Sequence, residues 1–162
     1  MKEFSIERIN AHSPYLVEKG ENYSFFIRTK NDVLIRIGFS KDESIWPDGA
    51  YEMYLLNLNG KPSPRDLKLR DTVLCIVEEF FISNASILIY SFETRDNRQS
   101  LRNKLFFSWF FKNDYIKCNC IIKTSIIETI VVQKSNPQYE SIINDFDRYL
   151  SYFGQKSVGA GL

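Results

Sequence analysis

The sequence predicts a single α/β (α+β) domain. It would hold a mixed, mostly antiparallel sheet of six to seven strands with three helices, in the order ββββ-α-β-α-ββ-α. Three observations carry this. The first sixty residues alternate apolar and polar side chains between closely spaced turn signals. At Asn59-Gly60 the period changes from two to helical spacing. Beyond that point, segments of the two periods alternate. A chain of 162 residues with 44% hydrophobic and 25% charged side chains is one domain's worth, can bury a core, and is not disordered throughout. The expected globular extent is residues 1–154, with Gln155–Leu162 as a flexible tail.

The elements follow in order. Phe4-Ser5-Ile6-Glu7-Arg8-Ile9 alternates weakly and reads as extended, and Tyr15-Leu16-Val17 follows Pro14. Gly20-Glu21-Asn22 marks a turn before Tyr23–Arg28. Asn31-Asp32 marks the next, and in Val33–Phe39 the side chains of Val33, Ile35, Ile37 and Phe39 share one face. After a loop from Ser40 to Gly49, Ala50–Leu58 is the fourth strand. Short connections favour an antiparallel meander.

Ser63-Pro64-x-Asp66 then offers a helix cap, Pro at the first helical position and an acid in the first turn. Leu69, Val73, Ile76, Val77, Phe80 and Phe81 recur at helical spacing up to Ser83-Asn84. Ser86–Phe92 is short and continuously apolar, as in a strand buried on both faces. Asp96 caps a second helix reaching about Lys112. Tyr115–Ile122 and Ile126–Gln133 form a hairpin. Asn136-Pro137 opens a third helix with Tyr139, Ile142, Ile143, Phe146, Leu150 and Phe153 on one face, stopped at Gly154.

Charge and cysteine usage narrow the function classes. Lys and Arg number 21 against 20 Asp and Glu, so a surface built wholly for nucleic acid is disfavoured. The first residues lack the apolar run of a signal peptide, and no apolar stretch reaches membrane length. Cys75, Cys118 and Cys120 make no disulfide framework. The expectation is a cytoplasmic protein with reduced thiols and no membrane partner. Cys118 and Cys120 share one strand face, but with His12 as the lone histidine the sequence offers no metal site.

Two surfaces stand out as working surfaces. Arg95, Arg98 and Arg102 fall at steps of three and four beside Gln99, on one face at a helix start. Guanidinium forks there suit a phosphate, a carboxylate or an acidic partner. The competing reading is that they pair with Asp96 and nearby acids, or are simply solvated. Trp46 stands in a polar loop longer than a hairpin needs, either as an interface anchor or folded back as a plug over the core. The dense run Phe106-Phe107-x-Trp109-Phe110-Phe111 leaves monomer and homodimer both open. No phosphate loop, dinucleotide fingerprint or nucleophile elbow is present. Cys75 or Cys118 with His12 would form a nucleophile and base only if folding brought them together.

The order of elements over residues 33–133 resembles the GCN5-related N-acetyltransferase fold, in which antiparallel strands lead to a cofactor-binding helix, then a strand, a helix and a closing hairpin. That resemblance implies coenzyme A at the start of the first long helix and a carboxylate base on the fourth strand, where Glu52 stands. The corresponding helix start is Arg65-Asp66-Leu67-Lys68-Leu69-Arg70. Lys68 and Arg70 occupy the positions of the family's glycines, so the backbone cradle for a pyrophosphate is lost and only side chains remain to contact phosphate. The later helix lacks the family's Tyr, since Lys104 stands seven residues beyond Asn97.

A second resemblance rests on Asp96-x-Arg98-Gln99-x-x-Arg102-x-x-Leu105-Phe106-x-x-Trp109-Phe110, preceded by the Phe80-Phe81 helix and the Ile87–Tyr90 strand. This pattern is similar to a family of short bacterial proteins of unknown function. It implies a shared fold and no chemistry.

The expected function is a non-catalytic binding or accessory module without a cofactor. It would use Arg95, Arg98, Gln99, Arg102 and Trp46 toward a protein or anionic ligand. The alternative is a divergent acyl-coenzyme-A-dependent N-acyltransferase with Glu52 as base and Arg65, Lys68 and Arg70 near the cofactor phosphates.

Overall fold

In the computed structural model, residues 1–42, 49–84, 87–91, 120–124 and 128–146 are described. They run α1 (Ile6–His12), β1 (Val17–Lys19), β2 (Ser24–Arg28), β3 (Leu34–Asp42), β4 (Ala50–Asn57), α2 (Leu67–Ser83), β5 (Ile87–Ser91), β6 (Cys120–Thr124) and β7 (Glu128–Gln133). A final helical segment, α3, covers residues 139–146. The expected mixed sheet is present, with seven strands in the spatial order β1-β2-β3-β4-β5-β7-β6. Every neighbouring pair is antiparallel except β4 and β5, which are parallel. The helix expected between Asp96 and Lys112, the Phe106–Phe111 run, Cys118 and the tail lie outside the described residues.

The first element departs from the sequence expectation. Residues expected to be extended are instead the start of α1. Ser5 caps it, its Oγ accepting from the Arg8 N–H at 3.3 Å. Phe4, just before the cap, and Ile9, in the second turn, are both buried, the spacing of a hydrophobic staple. Weak alternation across six residues misled because a two-turn helix is too short to display its period.

The two faces of the sheet carry separate cores. On one, Phe25 and Ile27 of β2, Ile35, Ile37 and Phe39 of β3 and Met53 of β4 pack beneath Val73, Ile76, Val77 and Phe80 of α2. On the other, Ala50, Ile87, Ile89, Ile130 and Val132 are covered by Ile142 and Phe146 of α3. Side chains of β5 alternate between these clusters, Leu88 into the first and Ile87 and Ile89 into the second. A central strand buried on both faces reads as unbroken apolar sequence for this reason. Ahead of α3, Asn136 Oδ1 accepts from the Gln138 N–H at 2.9 Å, and the helix begins at residue 139, later than the expected start at Asn136-Pro137.

Candidate functional site

The α2 start is where a cofactor would bind under the acyltransferase alternative, and its cap lies three residues later than Ser63. Asp66 is the cap. Its Oδ1 accepts from the Lys68 and Leu69 N–H groups at 3.0 and 3.1 Å. The Tyr15 hydroxyl donates to Asp66 Oδ2 at 2.7 Å and itself accepts from the Lys30 N–H at 3.2 Å. A carboxylate held from both sides outcompetes a serine hydroxyl for the helix end. Burial alone would raise the Asp66 pKa. The Tyr15 hydroxyl, the two amides and the Lys30 charge outweigh it and hold the carboxyl below its usual range.

The amides that an anion would bind at this helix end are thus occupied by the chain's own carboxylate. Of the cationic candidates, Arg65 and Lys68 are exposed. Arg70 donates from Nε and Nη2 to Asp71 Oδ1, both at 2.8 Å. Glu52 is half-buried on β4, in register with Ser40 of β3 and Ile89 of β5. About 17 Å of strand separates it from Asn57, where the connection to α2 begins. Glu52 and the α2 start therefore stand at opposite ends of β4. Trp46, Arg95, Arg98, Gln99 and Arg102 lie outside the described residues.

Loss of the cap has a measurable cost. Asp66→Ala is expected to destabilise the fold by about 1 kcal/mol in a urea titration, since two first-turn amides lose their acceptor. Asp66→Asn, which keeps an acceptor oxygen, should recover most of it.

A groove of about 140 Å³ runs between α1 and α2, lined by Arg8, Ile9, His12, Cys75, Glu78, Glu79 and Ile82. His12 and Cys75, which no spacing required to meet, border the same space. The chemistry runs against a nucleophile. Burial pushes the Cys75 thiol up to about 11, with the negative charges of Glu78 and Asp71 adding to it. Burial also raises Glu78, against the opposing effect of His12. Glu79 is firmly engaged. It accepts from the Ser5 N–H at 2.9 Å and from Arg8 Nη2 and Nε at 2.7 and 3.0 Å. The groove is the seam by which α1 is tied to α2. Among the described residues, no His, Cys, Asp or Glu cluster could hold a metal ion.

One arrangement has no counterpart in the sequence expectations. On the sheet face opposite α2, the Arg36 guanidinium lies 5.8 Å from the Phe26 ring centroid and 5.9 Å from that of Tyr54. Phe26 is directly across from Arg36 in the β2–β3 register, whereas Tyr54 reaches it diagonally from β4. Gly38, opposite Tyr54, is required because a Cβ there would collide with the tyrosine ring. The only signal in the sequence was an arginine on the polar side of an alternating strand.

The family model for a family of unknown function (DUF6169) matches residues 65–148, half of the chain. The chain belongs to that family. The DUF6169 segment begins at Arg65, beside the Asp66 cap, and takes in α2, β5, β6, β7 and α3, while α1 and β1–β4 precede it. It also contains the Arg98–Trp109 pattern. No curated protein and no solved structure matched the chain. Among the described residues no helix is long and apolar enough to cross a membrane.

Proposed function

We propose that this DUF6169 protein is a non-catalytic binding module that recognises an acidic or anionic partner. The observation that carries the reading is the occupied α2 start, where Asp66 is held by Lys68 N–H, Leu69 N–H and Tyr15 Oη. A second carboxylate or a pyrophosphate brought there would meet like charge and spent donors. The raised Cys75 thiol supports the same side of the argument, since a protonated thiol is a poor nucleophile. The Arg95, Arg98, Gln99 and Arg102 face and Trp46 are the sequence's candidates for recognition.

A second reading has one observation in its favour. The parallel β4–β5 pairing runs from Ala50–Ile87 to Met53–Tyr90, whereas β4 continues to Asn57. The resemblance to acyltransferases implies a cofactor cleft between those strands at that end, with Glu52 as base and Arg65, Lys68 and Arg70 toward phosphate.

Isothermal titration with coenzyme A and acetyl-coenzyme A separates the two. The binding-module reading expects no binding tighter than about 1 mM, equivalent to roughly −4 kcal/mol. Micromolar binding would overturn it in favour of the acyltransferase.

A further inference from the structure

Alternation along the first four strands puts Leu16, Phe26, Arg36, Tyr54, Leu56 and Leu58 on the sheet face turned away from α2. Phe26, Arg36 and Leu56 form one cross-strand row. Tyr54 is two residues from Leu56 on β4. Leu58 extends the ladder, its N–H donating to the Leu34 carbonyl at 2.8 Å. Leu16 alternates with Val17, which is buried in the core beneath α2. Leu16 is 68% exposed, Leu56 47% and Leu58 45%. Toward β5 and β7, by contrast, Ile142 and Phe146 of α3 cover this face.

Arg36 stands in the middle of this patch with its hydrogen-bonding capacity unused. Its Nε is buried without a partner, and the Phe26 and Tyr54 rings flank its guanidinium. The two Nη groups remain accessible, and no acceptor among the described residues bonds them. Aromatic rings attract the charge but do not fill its planar fork. The Tyr54 hydroxyl lies over Gly38, the next residue of β3 on this face, so a phenolic donor stands beside the guanidinium's row.

Among the described residues no acid pairs with Arg36. Glu18 stands two strands away, roughly 10 Å by inter-strand spacing. Glu52 is four residues along β4 from Leu56, roughly 14 Å. Arg28, the other cation of the face, is already paired with Asp32 at 3.1 Å. The Asp66 cap belongs to α2, which packs on the opposite face. One unpaired positive charge is thus left at the centre of an apolar patch.

We propose that this face docks a polypeptide segment presenting one carboxylate between aliphatic side chains, the carboxylate on Arg36 and the aliphatic groups on Leu56 and Leu58. The inference rests on the binding-module reading and gives it a site and a partner chemistry. A carboxylate matches the two Nη groups bidentately. A phosphate dianion fits less well, because one cation would leave negative charge uncompensated among leucines. The patch spans three inter-strand spacings and about four residues of β3, roughly 14 Å each way. That is far short of the about 800 Å² per partner of a stable dimer, so a short segment fits better than a second copy. A free fatty acid would need an enclosed cavity for its tail, whereas this is an open sheet face.

The test is fluorescence anisotropy of the full chain with a labelled, end-blocked peptide, Leu-Ser-Glu-Ser-Leu. Its first, third and fifth side chains face one way when extended. A peptide with glutamine in place of the glutamate, one with serine in place of the leucines, and decanoate are run beside it. The expected Kd for the first peptide is about 100 μM. Arg36→Gln should raise it at least about tenfold, and Arg36→Lys about threefold or more, since lysine keeps the charge but loses the fork. Leu56→Ser/Leu58→Ser should raise it at least about fivefold. Both leucines are exposed, so that variant should keep the wild-type circular dichroism and melting curve. Absence of binding, equal affinity for either control peptide, unchanged affinity in the variants, or tighter binding of decanoate would overturn the proposal. Dimerisation in sedimentation that the double leucine variant abolishes would overturn it in favour of a second copy. Coenzyme A is titrated in parallel. Its micromolar binding would bring down the binding-module reading itself, whereas peptide failure without it removes only this docking face.

Discussion

Phe80→Ala is expected to destabilise the protein by about 3–5 kcal/mol, the range for truncating a fully buried aromatic ring. Phe80 is fully buried on α2 and touches four rings. Its centroid lies 5.2 Å from Phe39 of β3, 5.8 Å from Tyr51 of β4, 5.0 Å from Phe81 and 6.2 Å from Phe4. The Phe39 ring is stacked on it, and the Tyr51 and Phe81 rings meet it edge-on. Truncation would remove the ring that joins α2 to the sheet and to the segment ahead of α1. The cavity left there can collapse only if several elements shift together. A drop in melting temperature of roughly 10 °C or more is expected, with unfolding still cooperative. Phe80→Leu should cost much less, about 1–2 kcal/mol, because it retains most of the volume. Equal melting temperatures for wild type and the alanine variant would show that this ring cluster is not the core.

Glu79→Ala is expected to cost about 2–3 kcal/mol, for a different reason. The Glu79 side chain is only 2% exposed, yet it is satisfied by the Ser5 N–H, the Arg8 guanidinium and the Ser83 hydroxyl. Removing it strands the Ser5 N–H in a part-buried position and frees α1 from α2. Arg8 is 58% exposed and returns to water at little cost.

The effect should depend on pH in a defined direction. Burial would raise the Glu79 pKa, but Arg8, the Ser5 N–H and Ser83 outweigh it and hold the carboxyl below its usual range. A carboxyl depressed in the folded state contributes stability above its unfolded pKa, about 4.3, and loses it as pH falls through the folded value. Urea titrations should therefore show the largest gap between wild type and Glu79→Gln near neutral pH, closing as the pH falls below the ordinary carboxylate range. Glu78 shares the groove with His12 and has its pKa raised, so its own contribution runs the opposite way. The Glu79 charge adds to the effect of burial on Glu78, so the glutamine variant also lessens that opposing contribution. A gap that is constant with pH would show that the Glu79 charge plays no part in tying α1 down.

Both residues lie on α2, the element most legible in the amino-acid sequence. Its apolar stripe from Leu69 to Phe81 is four turns long, enough for the helical period to declare itself. The alternation of Ile35, Ile37 and Phe39 likewise placed β3 and its buried face, and the unbroken run at β5 marked a strand covered on both sides. Membership of the family of unknown function was legible from the arginine and aromatic pattern. These signals are local and repeated, so neighbouring residues state them more than once.

What remained hidden depends on residues far apart in the chain. Ser63 and Asp66 are both competent caps by type, and the choice fell to Asp66 because Tyr15, 51 positions earlier, bonds its second oxygen. The short α1 shows no period of its own and is held by Glu79, 74 positions from Ser5. His12 and Cys75 share a groove only because α1 packs on α2. Amino-acid order determined the class of fold through periodicity. Which carboxylate capped α2 and which thiol was kept protonated were decided by tertiary packing, because each depends on desolvation and partners that no local stretch of sequence contains.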